Sequence, residues 1–258
     1  MRPVPLSPAH WPQARPFRFG DVELLDTDLD GAVRSLVDVA SSGTGQGVHL
    51  CNAYTLSLAG RDECYRATLA HPGAVNLPDG TPVSWFYRLA HGGPAHGPVR
   101  GPSLMTAVLR QPGRRHFLLG GTPEVLAALE REIADGYPQA KVVGSLAPPF
   151  QDPDRRDIEA FADAIRVSGA EIVWVGLGTP RQDQVIAALT PEVSAVLVGV
   201  GAAFDFLSGH KPEAPAVLHK TGLEWVYRLL SEPRRLWRRY LFGNSMFVLQ
   251  AFRQLRGR

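Results

Sequence analysis

Three polar residues and a set of glycine pairs carry the possible chemistry of this 258-residue chain. Asp79 stands in "LPDGTP", where a short apolar run meets an Asp-Gly pair. A carboxylate at such a point can serve as a general base. Asp-Gly is equally a common turn dipeptide, so turn chemistry explains it alone. Asn52 in "LCNAYT" can cap a helix or touch a substrate through its amide. Gln182 in "GLGTPRQDQ" is a surface helix residue or a second polar contact. Around them lie Gly120-Gly121-Thr122, Gly176-Leu177-Gly178-Thr179 and Gly199-Val200-Gly201. Glycines before a helix let backbone N–H groups approach phosphate. A dinucleotide fingerprint needs a further glycine three residues on, where Arg181 and Phe204 stand instead. Each turn taken singly is as readily an empty βα turn. Three together make a shared ligand site the better expectation.

The elements that would position these residues alternate between strand and helix. "RFGDVELL", "GVHLCNA", "AVNLPDG", "RHFLLGG", "AKVVGS", "EIVWVGLG" and "SAVLVGVG" read as strands. Between them, helical periodicity marks residues 27–40 with Thr27 as cap, about 54–69, "TPVSWFYRLAHG", "SLMTAVLRQ", 122–138, 157–167 and 180–189. Apolar strands alternating with helices predict an α/β, Rossmann-like, mostly parallel sheet with helices on both faces. Such sheets bind ligands at the carboxyl ends of the strands. Asn52, Asp79 and the glycine turns all fall there.

The pattern changes near Gly209. Residues 17–209 form the expected catalytic domain, and residues 210–258 a basic amphipathic helical appendage. Residues 1–16 hold five prolines and are expected to be a mobile arm. From Lys211 to the end, ten Lys/Arg face three acids, a charge of +7 in a chain whose net charge is +2. The rest is therefore −5. "LEWVYRLLSEPRRLWRRYL" packs five arginines beside two tryptophans and two tyrosines. Pro233 divides it into two helices. In the second, an apolar stripe runs from Leu236 through Phe247 to Leu255. Aromatic residues beside arginines describe an interfacial helix as well as one docked on a core.

No run of eighteen apolar residues and no secretory leader is visible. Cys51 and Cys64 are the only cysteines and fit a reducing compartment. Asp152 and Asp154 in "QDPDRR" have metal-bridging spacing, with a solvated loop as the better reading, and no cluster has zinc spacing.

Taken in order, "NAYTLSLA", "LPDGTPVSW", "FLLGGTPEV", "IVWVGLGTPRQDQ", "GVGAAFDFLSG" and "GLEWVYRLLSEPRRLWRRYL" resemble the WecG/TagA/CpsF family of bacterial glycosyltransferases. The resemblance runs from about Phe19 to Leu241. It implies a hexosyltransferase, N-acetylmannosaminyltransferase-like, moving a sugar from a UDP-sugar to a polyprenyl-diphosphate-linked acceptor in cell-surface polysaccharide or teichoic acid synthesis. It also implies a cytoplasmic location, peripheral on the inner face of the cell membrane, with self-association allowed. Asp79 matches the family's catalytic base, and Asn52 and Gln182 its polar pocket positions. Gly120, Gly121, Thr122, Gly176, Gly178, Gly199, Gly201 and Asp205 fall in its substrate-binding blocks. Arg228, Arg235 and Arg238 match tail arginines that meet diphosphate. No cofactor or metal is expected beyond the donor. Two positions depart from the family: Leu50 replaces a Thr, and Glu213 stands in an Arg-Ala-Pro run. The rival readings are an inactive sugar-nucleotide-binding protein, a nicotinamide oxidoreductase and a nucleic-acid binder. The failed fingerprints weigh against the second and the aromatic stripe against the third.

Overall fold

A computed structural model describes residues 11–149, 151–215, 218, 224–238 and 243–257. Six strands form one parallel sheet: β3 (Gln46–Cys51), β4 (Ala74–Pro78), β5 (Arg115–Gly120), β6 (Lys141–Leu146), β7 (Ile172–Gly176) and β8 (Val196–Gly199). Their order is β4-β3-β8-β7-β5-β6. Every pairing is parallel, as the apolar strands predict. The central strands are buried on both faces; Trp174 of β7 and Val198 of β8 are both fully buried. Only β6 departs from the expectation of buried strands. It is one of the two edge strands and is half-exposed along its length.

The helices cover both faces: α1 (Leu29–Ser42), α2 (Ala53–Ala59), α3 (Glu63–Leu69), α4 (Thr81–His91), α5 (Gly101–Leu109), α6 (Pro123–Gly136), α7 (Arg155–Ser168), α8 (Arg181–Leu189) and the short α9 (Ala203–Leu207). Two apolar clusters fill the layers above and below the sheet. One gathers α1, α5 and α6 around Trp174 and Phe204, and the other places α7 and α8 on Phe117, Val173 and Leu197.

Four expectations change in detail. "RFGDVELL" is no single strand but belongs to an antiparallel hairpin, β1 (Arg15–Phe19) and β2 (Val22–Asp26). Its loop is Gly20-Asp21, where Gly20 supplies a φ of 57° that a two-residue hairpin turn requires. The expected mobile arm is anchored from Trp11 onward. That indole is buried and donates to Gln46 Oε1 at 3.3 Å. Residues 1–10 lie outside the described residues. The cap of α1 is Asp28, which accepts from Gly31 N at 2.6 Å, rather than the buried Thr27. The helix expected over 54–69 breaks into α2 and α3 at Gly60, with Asp62 capping the second half.

The tail also divides more finely than expected. Among its described residues are α10 (Glu224–Ser231), α11 (Pro233–Arg238) and α12 (Ser245–Arg256). Of the stripe expected to run to Leu255, α12 turns Phe247, Ala251 and Leu255 to the body and leaves Val248 and Phe252 exposed. Phe247 is buried and stacks on Phe19 of the hairpin, ring centroids 4.7 Å apart at 8°. Gln254 donates to Arg18 O and accepts from Gly20 N. Gln250 lies so close over Gly60 that a Cβ there would collide with it, which accounts for glycine at the α2–α3 break. The third core cluster therefore contains hairpin, α2, α3, α4 and α12 together.

Two predictions follow from this packing. Phe247→Ala removes a buried ring from that cluster and should lower stability by about 3 kcal/mol, read by urea unfolding. The second concerns His116, which is buried in β5 and accepts from Trp174 Nε1 at Nδ1. Burial pushes it down to about 4. The unfolded chain then binds a proton that the folded one refuses, so stability should fall as pH drops from about 6.5 toward 4, by roughly 1.4 kcal/mol per unit. His116→Gln, which cannot protonate, should lose this dependence; equal slopes for both proteins would contradict the assignment.

Candidate active site

The carboxyl ends of β3, β4, β5, β7 and β8 open into one cleft of about 920 Å³. Asn52, Asp79, Gly121, Thr122, Gly176, Gly178, Gln182, Gly199, Gly201 and Asp205 all line it. Residues named from separate stretches of sequence therefore share one site. Gly120 does not line it. A Cβ at Gly120 would stand 2.6 Å from Gly176 O, and one at Gly176 would stand 2.7 Å from the Phe204 ring. These two glycines let β5, β7 and α9 close up beneath the cleft. The side chains of Arg228, Arg235 and Arg238 lie outside the described residues.

Asn52 follows β3 and caps α2. Its Oδ1 accepts from Tyr54 N, Thr55 N and Thr55 Oγ1 at 3.1–3.3 Å. The cap fixes the amide plane, and Nδ2, without a partner among the described residues, remains to donate. Both readings of Asn52 thus hold together: cap through oxygen, cleft contact through nitrogen. Asp79 N donates to Cys51 O at 2.9 Å, which ties the turn after β4 to the end of β3. Gly80, at φ 84°, then turns the chain into α4. Asp79 and Asn52 are held side by side by this strand pairing. Asp79 also acts on the neighbouring buried Cys51, whose thiol is raised by burial first and by Asp183 and Asp79 after it. Cys51 is therefore an inert thiol.

Gln182, 4% exposed, sits on α8 beneath two turns at once. Its Oε1 accepts from Gly178 N at 3.2 Å. A Cβ at Gly199 would meet its Nε2 at 3.0 Å. The Gly178 N–H, expected to face phosphate, is thus already engaged, and Gln182 Nε2 is the donor that the pair leaves to the cleft. Thr122 Oγ1 caps α6 through Val125 N. Asp205 Oδ2 accepts from Lys211 Nζ at 2.8 Å, and the same ammonium reaches Glu232 Oε2 at 3.4 Å. This bridge joins the cleft wall to the turn between α10 and α11.

Four cations that line the cleft were not anticipated: Arg61, Arg100, Arg181 and Lys211. Arg61 Nε donates to Ser57 O and Arg181 Nη2 to Pro149 O, so both guanidinium groups are braced by backbone. Arg100 pairs with Glu213 at 2.7 Å. Glu213 is the residue that breaks the Arg-Ala-Pro run, and it holds the start of the tail against the cleft. The one available signal was Arg181, read only as the residue that spoils a nucleotide fingerprint. Leu50, in place of Thr, is buried at the cleft floor. Asp154, half of the suspected metal pair, spends its Oδ1 capping α7 through Arg156 N and Asp157 N. Among the described residues no three His, Cys, Asp or Glu side chains are placed to hold a metal ion.

The cleft thus combines one carboxylate on a strand-end turn, two amide donors, open glycine turns and four cations. Such a set can bind a polyanion and accept a proton beside it. A family model described as the glycosyl transferase WecG/TagA/CpsF family matches residues 17–258. That is nearly the whole chain, and the protein belongs to this family of glycosyltransferases.

Proposed function

We propose that the protein transfers a hexose from a UDP-sugar to a lipid-diphosphate-linked sugar, with inversion at the anomeric carbon. The observation that carries this reading is the meeting of Asp79, Asn52 and Gln182 in one cationic cleft at the carboxyl edge of the sheet. In this reading UDP lies across the ends of β5, β7 and β8. Its diphosphate faces the turns at Gly121 and Gly199–Gly201 and the cations Arg61, Arg100, Arg181 and Lys211. Guanidinium forks pair with phosphate oxygens bidentately, so they hold the leaving group as its charge grows. The Asp79 carboxylate takes the proton of the acceptor hydroxyl. The freed oxygen attacks the anomeric carbon, the bond to the β-phosphate oxygen breaks, and UDP departs with the electron pair. Asn52 Nδ2 and Gln182 Nε2 orient the transferred sugar.

Arg228, Arg235 and Arg238 are assigned to the diphosphates of donor or acceptor, as the family resemblance implies. The tail is assigned to the inner membrane face. Trp85 and Leu89 on α4, Trp237 on α11, and Val248, Leu249 and Phe252 on α12 are large exposed apolar side chains, as an interfacial protein would carry. No helix among the described residues is long and apolar enough to cross a membrane. Transfer is proposed to need no metal, in keeping with the lack of any three-ligand His, Cys, Asp or Glu cluster among the described residues.

The test is transfer from a panel of UDP-sugars to a synthetic lipid-diphosphate acceptor, run in EDTA. Wild type should remain active. Asp79→Asn should lose about a hundred- to ten-thousand-fold in kcat while UDP affinity stays within a few-fold, as loss of a general base requires. An Asp79→Asn enzyme within a few-fold of wild type would remove Asp79 from this role. Activity that returns only with added divalent metal would overturn the metal-free mechanism.

A further inference from the structure

Beneath the cleft lies a chain of polar side chains that the transfer reaction does not use. His49 of β3 and Asp183 of α8 are both buried, 0% and 1% exposed, with Nδ1 and Oδ1 3.0 Å apart. Tyr65 of α3 donates its hydroxyl to Asp183 Oδ2 at 2.8 Å. On the far side, His49 Nε2 stands 3.3 Å from Nε2 of His71. His71 Nδ1 is 2.8 Å from Pro72 O.

Counting protons along this chain gives a definite answer. A carbonyl oxygen only accepts, so His71 Nδ1 carries a hydrogen. If Asp183 is ionised it also only accepts, so His49 Nδ1 carries one too. Two neutral rings so arranged would point bare Nε2 lone pairs at each other at 3.3 Å, which is repulsive. A third ring proton between them removes the conflict. Should Asp183 hold that proton instead, His49 Nε2–H still donates to His71, and the total is unchanged. In every arrangement the trio of Asp183, His49 and His71 holds one proton more than a carboxylate and two neutral imidazoles. It is then electrically neutral, which a carboxylate this deeply buried demands.

The neighbours do not supply the missing charge. Burial, with Asp183 beside it, pushes the Tyr65 hydroxyl far above its usual range, and the Cys51 thiol is raised likewise, so both stay neutral. Asp79, at the end of β4, adds a further negative charge near Cys51. Thr55 of α2 and Thr190 after α8 are uncharged, and the facing stretch of β8, Val196–Gly199, has no ionisable group. The Asp183 carboxylate lies against His49 at 3.0 Å, which keeps the extra proton on the His49 side of the pair. A metal ion is a poor substitute, since no third ligand completes a site among the described residues.

The three groups belong to the three segments that carry the cleft residues. His49 lies on β3, which Asn52 follows, His71 leads into β4 and Asp79, and Asp183 adjoins Gln182 on α8. We infer that one buried proton, shared by Asp183, His49 and His71, is the positioning device that holds Asn52, Asp79 and Gln182 in register. Its loss at alkaline pH parts the two rings and loosens the cleft floor. The placement of the catalytic set rests on the glycosyltransferase reading; the proton itself does not.

Long-range 1H–15N spectra of the ligand-free protein at pH 7.5 count ring protons directly. Loss of signals in His49→Gln and His71→Gln assigns the rings. Three protonated nitrogens among the four of His49 and His71, or two together with a protonated Asp183 carboxyl in the 13C spectrum, are expected; two with Asp183 ionised would overturn the inference. The folded chain then binds one more proton than the unfolded chain above about pH 6.5. Its folding constant should fall about tenfold per pH unit from there until the proton leaves. Asp183→Asn, which no longer needs the proton, should lose this slope, and an unchanged slope would count against the trio. Transfer by wild type should show an alkaline limb in kcat and KM together that Asp183→Asn lacks at its lower rate. An identical limb in both would leave the proton structural and overturn the positioning role. Absence of transfer at any pH would strike the functional reading alone, since the spectra and folding slope decide the proton without it.

Discussion

The parallel hydrogen-bond ladder between β3, β8 and β7 is the constraint on which everything else rests. In a parallel sheet every strand ends at the same edge. The ladder pairs His49 with Gly199 and Val175 with Gly199, so the turns after β3, β8 and β7 arrive at one level. Close packing then decides which residues these turns tolerate. Gly120, Gly176 and Phe204 are stacked so tightly that a single Cβ at either glycine would push the strand ends apart. The open turns at Gly121 and Gly199–Gly201 exist because the layer below them is filled. Gln182 converts that packing into chemistry, since one amide both clamps Gly178 and faces the cleft.

Among the described residues, ion pairs join the cleft wall to the tail. Arg100 reaches Glu213 and Lys211 bridges Asp205 to Glu232, all partly exposed contacts of modest individual strength. The last helix is attached differently, with Phe247 stacked on Phe19 in a dry cluster.

Much of this was legible in the sequence, for a physical reason. Apolar strands alternating with helices specify a parallel sheet, and strand-end residues of such a sheet converge whatever their separation along the chain. Asn52, Asp79 and Gln182 were readable on that basis. The hairpin was missed because Gly20-Asp21 interrupts "RFGDVELL" without breaking its alternation of apolar and polar residues. Phe247 was placed on an apolar stripe that left docking and interfacial readings open, because helical periodicity reveals that a face is apolar but not what covers it. His49 and Asp183 carried no pattern at all. They meet across 134 residues of chain, and a histidine in an apolar strand reads as ordinary core. The same holds for Arg61, just past the end of α2, and Arg100, the N-cap of α5, which no motif marked.

The central claim is that the strand-end turns form one sugar-nucleotide site. Amide hydrogen exchange with and without saturating UDP tests it most directly. The account predicts slowed exchange at Gly121–Thr122 and Gly199–Ala203 and at the start of α8, with the β1–β2 hairpin and α7 unchanged. No protection at these turns, or protection confined to another face of the molecule, would contradict it.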